Sequence, residues 1–372
     1  MRTGRLTMLA ALALAAGCAT APVRTAVYDM PLIRFDRQAD GAYTGHDARS
    51  LFEHGNERFD RGLWKEAFLA YQDVVTKFGP SDYQTPAAYN AGLVLTRLGM
   101  YPQAISYFEI AVLGKDADLR TKARWNLIDL VLREERWMEA RQHAQALRNE
   151  TDSATDIVEL DAIAELVRLW LDGQPSDNLI GVVDGYKAQV RAGQARSQVP
   201  ESIGYYLAGL RLADRLDPEH FAAFALTGAT QADAMQDLAR QLETEAQGLL
   251  EAQGYFLRAI KSADVAWATA GVYRIGELYE RFYRGLVALR FPVELTEAER
   301  AVYAEELGKA IEPVKGKAAM TYERLLSFAA SQSDTNPWVA RAQQQLATIQ
   351  AFDPAQVWAA RESYPAATTA AP

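Results

Sequence analysis

Apolar residues recur at three- and four-residue spacing through most of this chain, the period of one face of an α-helix. Between Ile157 and Leu171 they fall at 157, 160, 163, 166/167 and 170/171. The segments Asn178–Arg196, Ser202–Leu216 and Gln231–Ala263 are further helix candidates, the second stopped by Asp217-Pro218. Alternating β-branched residues, the mark of strands, are nearly absent. Glycine and proline fall mainly at breaks between the apolar stripes. Thr296 followed three residues later by Glu299 predicts a capped short helix over Thr296–Ala310. Asn336-Pro337-Trp338 opens another. The predicted class is all-α.

Three segments repeat one another. The first carries Gly55, Gly62, Trp64, Ala67, Tyr71 and Val74; the second Gly92, Gly99, Tyr101, Ala104, Phe108 and Ala111; the third Ile128, Glu135, Trp137, Ala140, Ala144 and Leu147. In each, an aromatic stands three residues before the alanine. Gly55 and Gly92 let the first helix approach the second of the same unit, Ala67, Ala104 and Ala140 do the same from the second helix, and Tyr71 and Phe108 are expected to fill the space between neighbouring units. A single hairpin cannot bury its apolar face, so such units stack into a solenoid with a concave side. The pattern resembles the tetratricopeptide repeat. The resemblance implies a tetratricopeptide-like helical-hairpin solenoid. The motif is well kept in two units and degraded in the third.

Further on, Ala252, Phe256 and Ala259 repeat the second-helix spacing, and Tyr273–Tyr279 reads as a first helix. Phe291-Pro292 then marks an insertion before Ala318, Tyr322 and Leu325 resume the pattern. From 264 to 350 the chain resembles large envelope tetratricopeptide proteins of myxobacteria and relatives, some of which serve gliding-motility or secretion machinery.

The N-terminus has a different character. Arg2 and Arg5 precede an apolar stretch from Leu6 to Ala16, and small residues lead to Cys18, the single cysteine of the chain. About 11 apolar residues are too few to span a bilayer, which needs roughly 20. They read as a secretory signal peptide. Leu14-Ala15-Ala16-Gly17-Cys18 resembles the processing site of bacterial lipoproteins. That resemblance implies cleavage before Cys18, acylation of Cys18, and, with Ala19 following, the outer membrane. An ordinary signal peptide with an incidental cysteine is the alternative. Loss of residues 1–17 with their two arginines would take the formal charge from −9 to −11. An acidic domain is ill suited to nucleic acid, whose phosphates require cationic surface.

The expected organisation is therefore a signal peptide at 1–17, a flexible tether at 18–45, and an array of about three repeats at 46–150. Divergent helical repeats follow at 151–263. A C-terminal array at 264–362 carries an insertion at about 291–312, and 363–372 forms a disordered tail.

Catalytic chemistry is not evident. His46, His54, His143 and His220 lack the spacing of convergent metal ligands. Phosphate-cradling glycine loops and nucleophile elbows are missing. Glu201-Ser202 is reminiscent of the Glu-Ser pair of superhelical lytic transglycosylases, but its flanks differ, and Pro200-Glu201-Ser202 reads better as a helix start. The expectation is a non-enzymatic protein without metal or cofactor. Its partners would be other envelope proteins or peptides, its membrane contact the acyl chains, and its oligomeric state is open. A peptidoglycan-active or glycan-binding protein is the alternative.

The concave face is the expected site. By resemblance to tetratricopeptide domains that clamp a C-terminal carboxylate, the five clamp positions hold Phe52, Asn56, Asn90, Lys122 and Asn126. Phe52 and Asn126 depart from that pattern and remove two cations, which weakens carboxylate binding. Phe59, Tyr89, Leu93, Trp125 and Leu132 are expected to project into the same groove, where aromatic residues suit an extended or helical peptide. Packing of Tyr89 and Trp125 against a neighbouring helix is the alternative.

Overall fold

The computed structural model describes residues 47–78, 81–224, 230–261, 265–290, 296–332 and 336–359. The expectations for the signal peptide, Cys18, the tether and the tail lie outside the described residues.

Helical period and capping residues combine as the sequence predicts. Among the described residues there are fifteen helices and no strand. The first four hairpins pair α1 (Ala48–Asp60) with α2 (Trp64–Lys77), α3 (Gln84–Arg97) with α4 (Tyr101–Ala111), α5 (Ala117–Arg133) with α6 (Trp137–Glu150), and α7 (Ala154–Leu171) with α8 (Ser176–Arg191). Next, α9 (Val199–Ala213) packs on α11 (Gln231–Lys261), with the short α10 (Pro218–Ala222) between them in sequence. Finally α12 (Val265–Ala288) packs on α13 (Glu297–Gln332), which carries α14 (Pro337–Ala351) and α15 (Pro354–Ala359). The whole is an all-α solenoid of stacked hairpins. Asp47, Asp116, Ser153 and Asn336 cap their helices by accepting a backbone N–H, which satisfies donors the first turn leaves open.

The hairpins close on small-to-large contacts. A Cβ placed on Gly55 would stand 2.5 Å from the Tyr71 ring, and one on Gly92 would stand 2.8 Å from the Phe108 ring. The same contact recurs between Gly209 and Phe256 and between Gly276 and Tyr322. Glycine and ring lie 16 residues apart in the first two pairs, but 47 and 46 apart in the later two. The later hairpins thus keep the lock although it spans about 30 residues more of chain. In the third hairpin the pair is inverted: Ile128 on the first helix and Ala144 on the second are both buried. Total volume is kept, which is what a packed core requires.

Two boundaries differ from expectation. The α9 helix begins at Val199 with Gln198 as its cap, and Ser202 is buried inside, its hydroxyl donating to the Gln198 carbonyl at 3.1 Å. Pro200 sits in the first turn, where its missing N–H costs no bond. The predicted insertion helix and the following second helix are one continuous helix, α13, with Pro313 inside. Proline there removes one helical bond, and the first half is held instead by packing. Tyr303, Leu307 and Ile311 join Tyr283, Ile349 and Trp358 in an apolar cluster separate from the main core. The Thr296–Glu299 capping box forms as predicted, the Glu299 carboxylate accepting from Thr296 N at 2.8 Å and Thr296 Oγ1 at 2.7 Å.

Candidate partner-binding face

The first helices of three successive hairpins, α1, α3 and α5, lie side by side and bring the expected groove residues together. Side-chain hydrogen bonds link the three helices. Asn56 Oδ1 accepts from the Tyr71 hydroxyl at 2.8 Å and from Asn90 Nδ2 at 3.1 Å. Asn126 Nδ2 donates to the Lys122 carbonyl at 2.8 Å, and its side chain also hydrogen-bonds Tyr89. Burial raises the Tyr89 phenol pKa above its ordinary value, keeping it a neutral hydroxyl. The polar members of the face thus tie unit to unit.

Burial separates the expected residues into two sets. Phe52, Phe59, Tyr89, Asn90 and Leu132 are buried, whereas Asn56, Leu93, Lys122, Trp125 and Asn126 are half-buried. The expectation that Phe59, Tyr89 and Leu132 project into a groove is corrected. Phe59 meets the Trp64 ring edge-on at 5.2 Å, with Arg97 lying over both rings. Tyr89 meets Phe108 at 5.7 Å. Both ring pairs close within one hairpin, α1 with α2 and α3 with α4, and Arg97 of α3 covers the first pair from the next unit. Asn90 is also closed to solvent, so its role is the bridge to Asn56. Leu93 and Trp125 pack on the core by one side only.

The carboxylate-clamp positions are poor in cations. Phe52 is core, packed on Tyr71 and Tyr83. Lys122, the one basic residue of the five, is paired with Asp118 one turn earlier. Glu201 is paired with Lys187 at 3.1 Å on the first turn of α9. Among the described residues no group of three or more His, Cys, Asp or Glu could hold a metal ion.

A second polar cluster was not anticipated. It lies where the α5–α6 turn meets α9, α12 and α14. The Arg274 guanidinium of α12 pairs with Glu135 and Glu277, and its Nε donates to the Tyr206 hydroxyl at 2.9 Å. That hydroxyl in turn donates to Glu135 Oε1 at 2.8 Å. The Trp338, Tyr273 and Tyr206 rings surround the guanidinium at 5.2, 5.6 and 5.9 Å, within cation–π range. Burial alone would lower the Arg274 pKa, but Tyr206, Glu277 and Glu135 hold it well above its ordinary value.

Glu135 has an unusual backbone. Five helix ends share one geometry, in which an amide bonds the carbonyl five residues earlier: Leu63 to Arg58, Met100 to Leu95, Arg136 to Val131, Gln174 to Leu169 and Gln194 to Gln189. This cap puts the preceding residue in the left-handed region. That residue is Gly62, Gly99, Gly173 and Gly193 in four cases, and Glu135, at φ 58°, in the fifth. A side chain there costs about 1–2 kcal/mol. The one signal available in the sequence was the glutamate in a glycine column.

No protein-family model matches the chain, and no curated protein matches its sequence. Among solved structures, the chain is similar to a TPR repeats protein from Bacteroides fragilis, with 17% identity, 63% of this chain and 96% of that chain covered, and a TM-score of 0.30. It is also similar to a tetratricopeptide repeat protein from Parabacteroides merdae, with 13% identity, 82% and 98% covered, and a TM-score of 0.39.

Proposed function

We propose that this chain is a protein-interaction scaffold of a bacterial cell envelope, held at the outer membrane by acyl chains on Cys18. Its partners are other envelope proteins or peptides, taken up on the face of α1, α3 and α5. The observation that carries this reading is the placement of half-buried Asn56, Leu93, Lys122, Trp125 and Asn126 on three adjacent helices. Amide groups there suit a peptide backbone, and Leu93 and Trp125 offer apolar contact of the kind that dominates binding energy. With Lys122 already paired, the face does not select for a terminal carboxylate. Two features support membrane attachment in sequence alone: the short apolar N-terminal stretch and the small residues before Cys18. Acyl chains contribute about 0.8 kcal/mol per buried methylene, enough in combination to hold a folded domain on a bilayer.

The test is chemical crosslinking of the full-length protein in native membranes, followed by identification of what co-purifies. Envelope proteins captured by wild type and lost in a Leu93→Ala, Trp125→Ala double variant are the expected result. Turnover of purified murein, abolished by Glu201→Gln, would overturn it in favour of a peptidoglycan-active protein.

A further inference from the structure

We infer that the α5–α6 turn is a latch, in which Glu135 fastens the C-terminal hairpin to the third repeat by holding Arg274 of α12. Four equivalent turns use glycine, and none of those four has a side chain with which to reach another element. Here the left-handed position carries a carboxylate, and that carboxylate receives the Tyr206 hydroxyl from α9 and the Arg274 guanidinium from α12. Residues 135, 206 and 274 are far apart in sequence, so the contact is not a by-product of neighbouring hairpins stacking. Arg274 is itself positioned by Glu277 one turn on, and Glu277 by Arg281. The Trp338 ring places α14 against the same guanidinium. One carboxylate therefore holds α9 and α12 directly, and α14 through the Arg274 guanidinium.

A solenoid is otherwise held by nearest-neighbour contacts, and its units can separate one from the next. A contact between its third and its later units restricts that freedom. Strained backbone at a non-glycine residue persists where the surroundings over-determine it, and the Arg274–Tyr206 pair supplies that determination. The latch thus couples α12 and α14 to the array whose face is the proposed binding surface, and it does not depend on what that surface binds.

The test is amide hydrogen exchange on the full-length chain, comparing wild type with Glu135→Gly. This substitution restores the residue used at the other four caps, so it relaxes the turn while deleting the carboxylate. The expected result is exchange at least tenfold faster in α12 around Arg274, with α1 to α4 unchanged. Exchange in α12 equal to or slower than wild type, together with a higher melting temperature, would show that only turn strain is at stake and would overturn the latch. Should Glu135→Gly not fold, Glu135→Gln carries the same test, since it keeps the backbone problem and removes the charge. Unchanged exchange of α12 in that variant also refutes the proposal.

Discussion

Gly276 stands against the ring of Tyr322 as Gly92 stands against Phe108: a Cβ on the first would lie 2.6 Å from ring carbon, and on the second 2.8 Å. Both rings are fully buried, so neither can swing aside into solvent. Gly92→Ala and Gly276→Ala should each destabilise the fold by about 1–3 kcal/mol through overpacking, despite alanine's better helix propensity. Gly185→Ala in α8 is the control. Nothing lies within 4 Å of its added methyl, and it should stabilise by about 0.4–1 kcal/mol. Thermal unfolding of the three variants checks this. Equal effects at all three positions would deny the ring contacts a part in hairpin closure.

These same contacts mark how far the sequence could be read. Gly55, Gly92, Tyr71 and Phe108 sit at fixed local spacing, and the hairpins they close follow from helical period alone. The Gly276–Tyr322 lock was legible as two separate fragments, because Ala318 and Tyr322 repeat a recognisable pattern. That the residues between them continue the same helix through Pro313 was not legible, since it depends on Tyr303 and Leu307 packing on the apolar cluster that holds Trp358. On the candidate face, alignment to the repeat put Asn56, Leu93, Lys122, Trp125 and Asn126 on the first helices of three units, which are α1, α3 and α5. It could not tell Tyr89 and Phe59 from exposed rings, because their burial comes from Phe108 and from Trp64 with Arg97. Glu135 looked like decay of a repeat. Its partners lie 71 and 139 residues away, beyond any local pattern.

Acid should loosen the Arg274 cluster. Burial pushes the Glu277 carboxyl up, but Arg274 and Arg281 outweigh it and hold its pKa below the ordinary 4.5. A depressed folded-state pKa contributes stability that is present above the unfolded value and lost as pH falls through the folded one. The loss therefore begins near pH 4.5 and proceeds below it. Asp214 and Glu134 nearby have pKa values raised by burial, and protonating them relieves a cost at higher pH, so the wild-type curve mixes two signs. The difference between wild type and Glu277→Gln isolates the first. The two melting curves should converge as pH falls from 5 to 3. A constant gap across that range would mean that Glu277 gains nothing from its two arginines.

The proposed attachment through Cys18 has a direct consequence. If Cys18 carries the proposed acyl chains, Cys18→Ser removes them, and the protein should move from the membrane pellet to the soluble fraction. No helix among the described residues is long and apolar enough to cross a membrane. Retention of the Cys18→Ser variant in pellets washed free of detergent would refute the anchor and point to a protein partner as the membrane tie.

Tyr89 and Trp125 separate packing from recognition. Both rings were candidates for one groove, yet Tyr89 is buried on Phe108 and hydrogen-bonded to Asn126, while Trp125 keeps one side open. Deleting a buried ring leaves a cavity as well as a lost contact, so Tyr89→Ala should cost about 3–5 kcal/mol of stability. It should also unsettle Asn126, the next amide along the face. Trp125→Ala removes a partly exposed ring and should cost markedly less. If α5 presents that ring to a partner, Trp125→Ala should weaken binding about tenfold, equivalent to ~1.4 kcal/mol, with the melting temperature nearly kept. Leu93→Ala should behave likewise, because Leu93 lies half-buried on the adjacent α3. Calorimetric titration with a crosslinked partner, alongside thermal unfolding of each variant, resolves the two roles. A Trp125→Ala protein that melts as early as Tyr89→Ala would make both rings core. One that melts normally and binds normally would move the site away from α3 and α5.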